Sequence, residues 1–126
     1  MREFRCLIFA DHEVITAYIE RLKRLRSPLP AGTIRGIEYN ATAAKQVDSV
    51  LTVISDEGEI HRIQIRMVEM AASLVDYCLN RKIPIPSGSQ KWVEVINTHE
   101  LVLLMTLTEK APRTLRPQRL SRRTSA

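Results

Sequence analysis

Hydrophobic residues along the chain recur first with the spacing of a β-strand and then with the spacing of one face of an α-helix. Residues 4–9 have the pattern of a short strand, and the next stretch carries apolar side chains at the spacing of one helical face. That face consists of Val14, Ile15, Tyr18, Ile19, Leu22 and Leu25. We expect Asp11 to be the N-cap of the helix and Pro28 to end it, because the residue before a proline disfavours helical angles. Strands are predicted at about 33–40 and 47–55.

The same order of elements then recurs. Residues 60–66 alternate as a strand, residues 67–81 form an amphipathic helix that Pro84 is expected to end, and strands follow near 90–96 and 101–107. Between the two series, residues 55–58 (Ser-Asp-Glu-Gly) have the composition of a tight turn. They predict a hairpin over residues 47–66 that joins the two series into one domain.

A shift of 56 residues aligns positions 7–39 with 63–95 without a gap. The clearest match is Pro-Leu-Pro-Ala-Gly-Thr at 28–33 with Pro-Ile-Pro-Ser-Gly-Ser at 84–89. A unit of about 55 residues makes only a marginal core, so two units are expected to share one. The prediction is a single α+β domain over 1–109, duplicated as repeats at about 4–55 and 59–108. It has about six mainly antiparallel strands and two helices packed on one face.

The matching Pro-x-Pro-x-Gly segments are predicted to be structural corners between helix and strand. In such a corner the prolines fix φ, and the glycine permits the turn that aims the next strand. The corner residues are Pro28, Pro30, Gly32, Pro84, Pro86 and Gly88. The glycine spacings of phosphate-binding loops do not occur in the sequence.

Basic residues are concentrated toward the C-terminal end. The formal net charge is +5, yet residues 110–126 hold six basic residues and no acidic one, which leaves 13 basic and 14 acidic residues in the rest. We therefore expect a nearly neutral folded part and a basic, flexible tail at 110–126. The sequence has no apolar run of about 18 residues and no signal-peptide pattern, so we expect a small bacterial-type protein in the cytoplasm, without membrane contact.

The sequence contains no catalytic or metal-binding motif, and no cofactor is expected. Cys6 and Cys78 both lie among apolar neighbours and are predicted to be small buried residues. The three histidines have no metal-ligand spacing. Glu38 and Glu94 occupy equivalent strand positions, but alternation points them away from the core, and whether they form a functional pair stays open. These observations favour a protein that is not an enzyme.

The strand faces that point away from the helices are half apolar, and something must cover them. By alternation they carry Phe4, Cys6, Ile8, Ile60, Arg62, Gln64, Arg66, Trp92, Glu94 and Ile96. A second copy related by two-fold symmetry is the commonest cover in soluble proteins. The first hypothesis is therefore a non-catalytic interaction or adaptor domain that acts as a homodimer and binds a further protein that the sequence does not identify. Its candidate interface residues are Phe4, Ile8, Trp92 and Ile96.

Nucleic acid is the alternative partner. Arginines of the tail can contact phosphate backbones without sequence preference, and Trp92 with Arg62 and Arg66 is expected to form a stacking platform on a sheet face. The tail arginines in question are Arg113, Arg116, Arg119, Arg122 and Arg123. Contact of these residues with nucleic acid, or with an acidic protein, is the second hypothesis.

Overall fold

The computed structural model describes residues 3–41 and 46–107. In chain order the elements are β1 (Glu3–Ala10), α1 (Asp11–Arg24), β2 (Gly32–Ala41), β3 (Val47–Ser55), β4 (Ile60–Ile65), α2 (Met67–Asn80), β5 (Lys91–Asn97) and β6 (Glu100–Leu107). The predicted tail at 110–126 lies outside the described residues. Neither helix in the described part of the chain is long and apolar enough to cross a membrane.

The strands form two antiparallel sheets of three strands each. Sheet I has the order β1-β6-β5, and sheet II has the order β2-β3-β4. The predicted α+β class with six antiparallel strands and two helices is therefore confirmed. The division into two sheets was not evident from the sequence, because alternation indicates which side of a strand is buried and not which strand lies beside it.

Both helices begin directly after a strand, and at each start a glutamate side chain accepts a hydrogen bond from the N-cap amide. Ala10 is the N-cap of α1 and Arg66 is that of α2, both with extended backbone angles. The Glu13 carboxylate accepts a hydrogen bond from the Ala10 amide at 3.0 Å, and Glu69 does the same for Arg66 at 3.3 Å. Asp11 is thus the first helical residue, and the prediction that it would be the N-cap was wrong.

Helix α1 ends before the proline that was expected to stop it. Its last residue is Arg24, and Arg26 then takes a positive φ of 56°. The Ser27 amide donates to the Leu22 carbonyl at 2.9 Å, which completes a Schellman motif. The prediction that Pro28 ends the helix was therefore wrong, because the left-handed turn at Arg26 has already redirected the chain.

Helix α2 ends in the same way. Lys82 has a positive φ of 60°, and the Ile83 amide donates to the Cys78 carbonyl at 2.8 Å. Pro84, the expected stop, follows the left-handed turn by two residues, so that prediction was wrong as well. In both helices a long basic side chain occupies the position where glycine is usual, and both turns therefore carry a conformational cost.

One hydrophobic core joins both sheets and both helices. Its buried members are Phe9, Val14, Ala17, Tyr18, Ile37, Val47, Leu51, Val53, Ile65, Met70, Leu74, Cys78, Val93, Leu101, Leu103 and Met105. All six strands and both helices contribute to this set, and the two helices also pack against each other. The inner faces of the sheets are therefore covered, and the outer faces are left to meet solvent or a partner.

Ion pairs join the two helices. Asp76 of α2 contacts Arg21 at 2.9 Å and Arg24 at 2.6 Å, both in α1. Arg81, the C-cap of α2, donates to the two carboxylate oxygens of Glu20 at 3.1 and 2.9 Å. These hydrogen bonds lower the pKa of the Glu20 carboxyl below its ordinary value. Because the side chains are partly exposed, each pair contributes little to the free energy of unfolding.

The two sheets have the same pairing register as well as the same strand order. Each takes one strand from one half of the chain and two from the other half. The central rows of residues are Leu7–Leu103–Val93 in sheet I and Ile63–Leu51–Ile37 in sheet II. Leu7 and Ile63 are 56 residues apart, as are Ile37 and Val93, which agrees with the shift found in the sequence. Leu51 and Leu103, in the last strand of each repeat, are 52 residues apart. The β-bulges do not correspond: they lie at 34–36 in β2 and at 95–97 in β5. The duplication itself stays a prediction, which superposition of residues 7–39 on 63–95 tests.

Candidate functional site

The outer face of sheet I is apolar. Phe4, Cys6 and Ile8 of β1 lie on it, because Leu7 and Phe9, which alternate with them, pack into the core. The pairing register continues this face across the sheet to Val102, Leu104, Trp92 and Glu94. Ile96 lies at the bulge in β5 and is also exposed. We call the apolar patch the set of Phe4, Cys6, Ile8, Trp92, Ile96 and Leu104.

Three members of the apolar patch are exposed to a large extent. The exposed fractions are 53% for Phe4, 58% for Ile8 and 46% for Ile96. Trp92 is partly buried: its ring meets Phe4 edge-on with the ring centroids 5.8 Å apart, and its indole N–H donates to the Glu94 carboxylate at 2.7 Å. The four residues that the sequence suggested as an interface therefore lie in one sheet, with two of their rings in contact.

The two cysteines differ in exposure. Cys78 is completely buried in the core, and burial raises the pKa of its thiol. Cys6 is exposed in the middle of β1, between Phe4 and Ile8 on the outer face. The prediction that Cys6 is a small buried residue was wrong, because the single chain leaves the outer face of β1 uncovered. Its thiol is a chemical probe of the apolar patch.

The outer side of sheet II carries an open groove with a volume of about 740 Å³. The groove is lined by residues 35–40 of β2, by Thr52 of β3, by Ile60 and Arg62 of β4, and by Thr98 and His99 of the turn between β5 and β6. An ion pair lies within it, where the Arg62 guanidinium is 3.7 Å from the Glu38 carboxylate. The groove thus combines charged side chains with apolar surface, whereas the apolar patch of sheet I contains no charged residue.

Three polar side chains at the groove form a hydrogen-bonded chain. The Tyr39 hydroxyl donates to one carboxylate oxygen of Asp11 at 2.7 Å, and Nδ1 of His99 lies 2.8 Å from the other oxygen. Because an ionised carboxylate only accepts hydrogen bonds, His99 carries a hydrogen on Nδ1 in this arrangement. Its Nε2 is then left for water or a ligand, and the His99 side chain is 79% exposed.

The protein holds this chain of side chains from its inner end. Tyr39 packs against the hydrophobic core, and its burial, together with the hydrogen bond to Asp11, raises the pKa of its hydroxyl. The hydroxyl therefore stays a donor at neutral pH. Asp11 lies in the first turn of α1, where the helix dipole favours a negative charge. His99 is thereby presented to the groove in one tautomer.

The arginines suggested for nucleic acid do not gather around Trp92. Arg62 lies in sheet II, whereas Trp92 lies in sheet I, and Arg66 is the exposed N-cap of α2. The predicted platform of Trp92, Arg62 and Arg66 on one sheet face was therefore wrong. The tail residues Arg113, Arg116, Arg119, Arg122 and Arg123 lie outside the described residues. Binding of nucleic acid or of an acidic protein by the tail stays a prediction.

Glu38 and Glu94 are not partners of each other. Both lie on outer faces, as alternation indicated, but in different sheets. Glu38 forms the ion pair with Arg62, and Glu94 accepts the hydrogen bond from Trp92. The question that the sequence left open is thus answered: the geometry offers no two-carboxylate site at these positions.

The two Pro-x-Pro-x-Gly corners connect α1 to β2 and α2 to β5. A Cβ at Gly32 would overlap the Ile54 carbonyl oxygen and lie 2.7 Å from the Cα of Ser55. Gly88 has open space around it but a positive φ of 74°. The two glycines are therefore required for different reasons, close contact in the first corner and backbone angle in the second. The prolines precede them in the same loops, and these are Pro28, Pro30, Pro84 and Pro86.

Sequence reasoning missed the groove and its hydrogen-bonded chain. Tyr39 is 28 residues and His99 is 88 residues from Asp11, so no local motif joins them. One signal was present, because Tyr39 occupies a core-facing strand position where a buried hydroxyl needs a partner. Gly36 was a second signal, since a glycine within a strand often marks a bulge or a close approach.

The fold and its two surfaces define a small α+β protein whose two sheets have different outer faces. No family model, curated protein or solved structure matches the chain. Among the residues that the structure describes, no three His, Cys, Asp or Glu side chains are grouped to hold a metal ion. The function must therefore be inferred from the surfaces themselves.

Proposed function

We propose that the protein is a non-catalytic interaction domain that acts as a homodimer through the apolar patch. The observation that carries this proposal is the exposure of Phe4, Ile8 and Ile96 within one three-stranded sheet. Single exposed apolar residues are normal on a protein surface, but a contiguous apolar patch typically marks an interaction site. Trp92 supports the same reading, because tryptophan is enriched among the residues that dominate interface energies.

A second copy of the chain suits this face better than a strongly charged partner. Glu94 lies on the face, and one of its carboxylate oxygens accepts the hydrogen bond of the Trp92 indole. Depletion of charge is typical of the centre of an interface. A face without strong charge does not repel its own copy, and two-fold pairing is the commonest assembly of soluble proteins.

The size of the face sets the expected strength of the dimer. Strand β1 has 8 residues, so the face is roughly 27 Å long, and three strands about 5 Å apart make it roughly 15 Å wide. A footprint of roughly 400 Å² per copy is about half that of a standard interface. We therefore expect a reversible dimer with a dissociation constant in the micromolar range rather than an obligate one.

The test uses the same substitution at equivalent positions of the two sheets. Ile8→Glu places a charge within the apolar patch, and Gln64→Glu places the same residue at the corresponding position of sheet II. We expect sedimentation velocity to show monomer–dimer exchange in the wild type and in Gln64→Glu, and a monomer in Ile8→Glu. A wild-type chain that remains monomeric up to about 100 µM contradicts the proposal.

Labelling of Cys6 identifies the surface that the dimer buries. A thiol reagent should react quickly with Cys6 in dilute protein and several-fold more slowly at concentrations where the dimer forms. Cys78 serves as the internal standard, because it is buried in the single chain. The concentration dependence should vanish in Ile8→Glu and persist in Gln64→Glu. A dimer in which Cys6 reacts at an unchanged rate would show that the contact lies elsewhere.

A further inference from the structure

Sheet II has open space where the equivalent part of sheet I is filled. The corresponding rows are Gly36–Thr52–Arg62 in sheet II and Trp92–Leu104–Cys6 in sheet I. Gly36 thus stands where the other sheet has its tryptophan. Within the described residues, no atom beyond its two chain neighbours lies within 4 Å of the point where a side chain on Gly36 would begin. The groove lies where Gly36 and Thr52 stand in place of the larger Trp92 and Leu104.

Two guanidinium groups and one imidazole reach this space from three separate elements. Arg62 comes from β4, and Arg35 lies at the β2 bulge, a feature that commonly re-aims a side chain. His99 comes from the turn between β5 and β6. In the described part of the chain no hydrogen bond or ion pair engages the Arg35 guanidinium. Arg62 is held only by the 3.7 Å contact with Glu38, which is longer than a direct hydrogen bond.

We propose that the groove binds a small molecule that carries a phosphate group. A guanidinium group matches phosphate oxygens with two parallel hydrogen bonds, and the groove offers two guanidinium groups, from Arg35 and Arg62. The polar side chains of Asn40 and Thr52 line the same groove, and Ile60 adds apolar surface for the rest of the ligand. A volume of about 740 Å³ is within the range of small-molecule sites.

The position of His99 distinguishes this groove from a simple cluster of positive charge. Asp11 holds the hydrogen of His99 on Nδ1, so Nε2 faces outward as an acceptor when the ring is neutral and as a donor when it is charged. Asp11 does not line the groove and is a positioning residue. Nitrogen-15 chemical shifts of the His99 ring report the tautomer. We expect the Nδ1–H form in the wild type and a mixture of both forms in Asp11→Asn. The Nε2–H form in the wild type would contradict this role.

Calorimetric titration of the full chain tests the proposal. The probes are inorganic phosphate and adenosine 5′-monophosphate, with adenosine as the comparison that lacks a phosphate. Arg35→Ala and Arg62→Ala should each weaken binding about tenfold. Tighter binding of the monophosphate assigns the site to an organic phosphate, and equal binding of both probes assigns it to the phosphate group alone. Failure of both probes to saturate the wild type at millimolar concentration overturns the proposal.

Two further variants separate the groove from general electrostatic attraction. Gly36→Trp gives sheet II the residue that fills sheet I, and it should abolish binding while the melting temperature stays nearly unchanged, because Gly36 has open space and no positive φ. Arg66→Ala removes the same charge outside the groove and should alter the affinity less than twofold. Undiminished binding in Gly36→Trp, or an equal loss in Arg66→Ala, would show that the phosphate does not bind in the groove. The monomeric Ile8→Glu chain should bind the probes as the wild type does.

Discussion

Sheets I and II share strand order and register, yet they present different outer faces. Strand β1, at one edge of sheet I, carries Phe4, Cys6 and Ile8 on its outer face. Strand β4, at the equivalent edge of sheet II, carries Ile60, Arg62 and Gln64. The inner faces are alike, since Leu103 and Leu51 are both completely buried. The outer faces therefore differ where the inner faces agree: that of sheet I is apolar, and that of sheet II combines charged and amide side chains with the exposed Ile60.

Some polar side chains on the outer face of sheet II have partners within the single chain, whereas the most exposed apolar side chains of sheet I face water. On sheet II, Arg62 contacts Glu38, and the Gln64 amide donates to Asp48 at 3.3 Å. On sheet I the exposed side chains of Phe4 and Ile8 gain nothing comparable from water. Burying such side chains stabilises an assembly by about 1.5–3 kcal/mol each before the costs of association are subtracted.

The largest losses of stability are expected on the inner faces of the two sheets. Because these faces are alike, equivalent substitutions in sheets I and II should cost the same free energy of unfolding. Leu51→Ala and Leu103→Ala each leave a cavity in the shared core, and each should lower the free energy of unfolding by about 3 kcal/mol in chemical denaturation. Leu104→Ala, on the outer face beside Leu103, is the control and should cost about 1 kcal/mol. Losses at Leu51 and Leu103 that differ by more than about 2 kcal/mol would break the equivalence of the two inner faces.

The glycines of the two Pro-x-Pro-x-Gly corners sharpen the comparison of the two halves. The corner sequences match, but Gly32 is required by a close contact and Gly88 by its backbone angle. Gly32→Ala forces a contact with the backbone of β3 and should cost about 2–3 kcal/mol, whereas Gly88→Ala meets only an unfavourable φ and should cost about 1 kcal/mol. Thermal and chemical denaturation measure both. Gly36→Ala, at an open position without a positive φ, is the control and should change stability by less than about 0.5 kcal/mol. The reverse order of the two corners would refute the close-contact argument.

The helix ends should respond alike in the two halves. Arg26→Gly and Lys82→Gly relieve a positive φ at a left-handed turn, and each should raise the free energy of unfolding by about 0.5–1 kcal/mol. Leu25→Gly, one residue earlier at φ −83°, should instead lower it. Stabilisation at only one of the two turns would mean that the halves do not end their helices by the same balance of forces.

The smallest effect concerns the contact between the helices. The hydrogen bonds from Arg81 lower the pKa of Glu20 below 4.5, its ordinary value. Such a group stabilises the folded state above its unfolded pKa, and the stabilisation is lost as the pH falls through the folded pKa. Because both side chains are exposed, Glu20→Gln should lower the melting temperature by only about 1–2 °C at pH 7 and by nothing at pH 2. An equal loss at both pH values would assign the effect to packing instead.

The sequence predicted the elements well because their signals are local. The apolar spacing from Val14 to Leu22 and the alternation around Leu103 are set within a few residues, and both survive in the structure. The composition of residues 55–58 likewise predicted the hairpin, in which the Gly58 amide donates to the Ser55 carbonyl at 2.9 Å.

The arrangement of the strands and the groove depends on contacts that no local pattern encodes. The pairing of β1 with β6 joins opposite ends of the domain, so alternation gave the outer residues but combined two sheets into one face. The groove depends on a bulge at Arg35 and on the meeting of Asp11 with His99, 88 residues apart. Such features become visible only when the chain is folded.

The division of strands between the sheets has a consequence for the order of events on the ribosome. Sheet II is built from one continuous stretch and can close once β4 has emerged. Sheet I cannot, because Phe9 must wait for Leu101, 92 residues later. At about 5–20 residues per second this delay is roughly 5–18 s. Throughout that time β1 has no strand to pair with, and sheet I therefore completes last, after synthesis has passed β6.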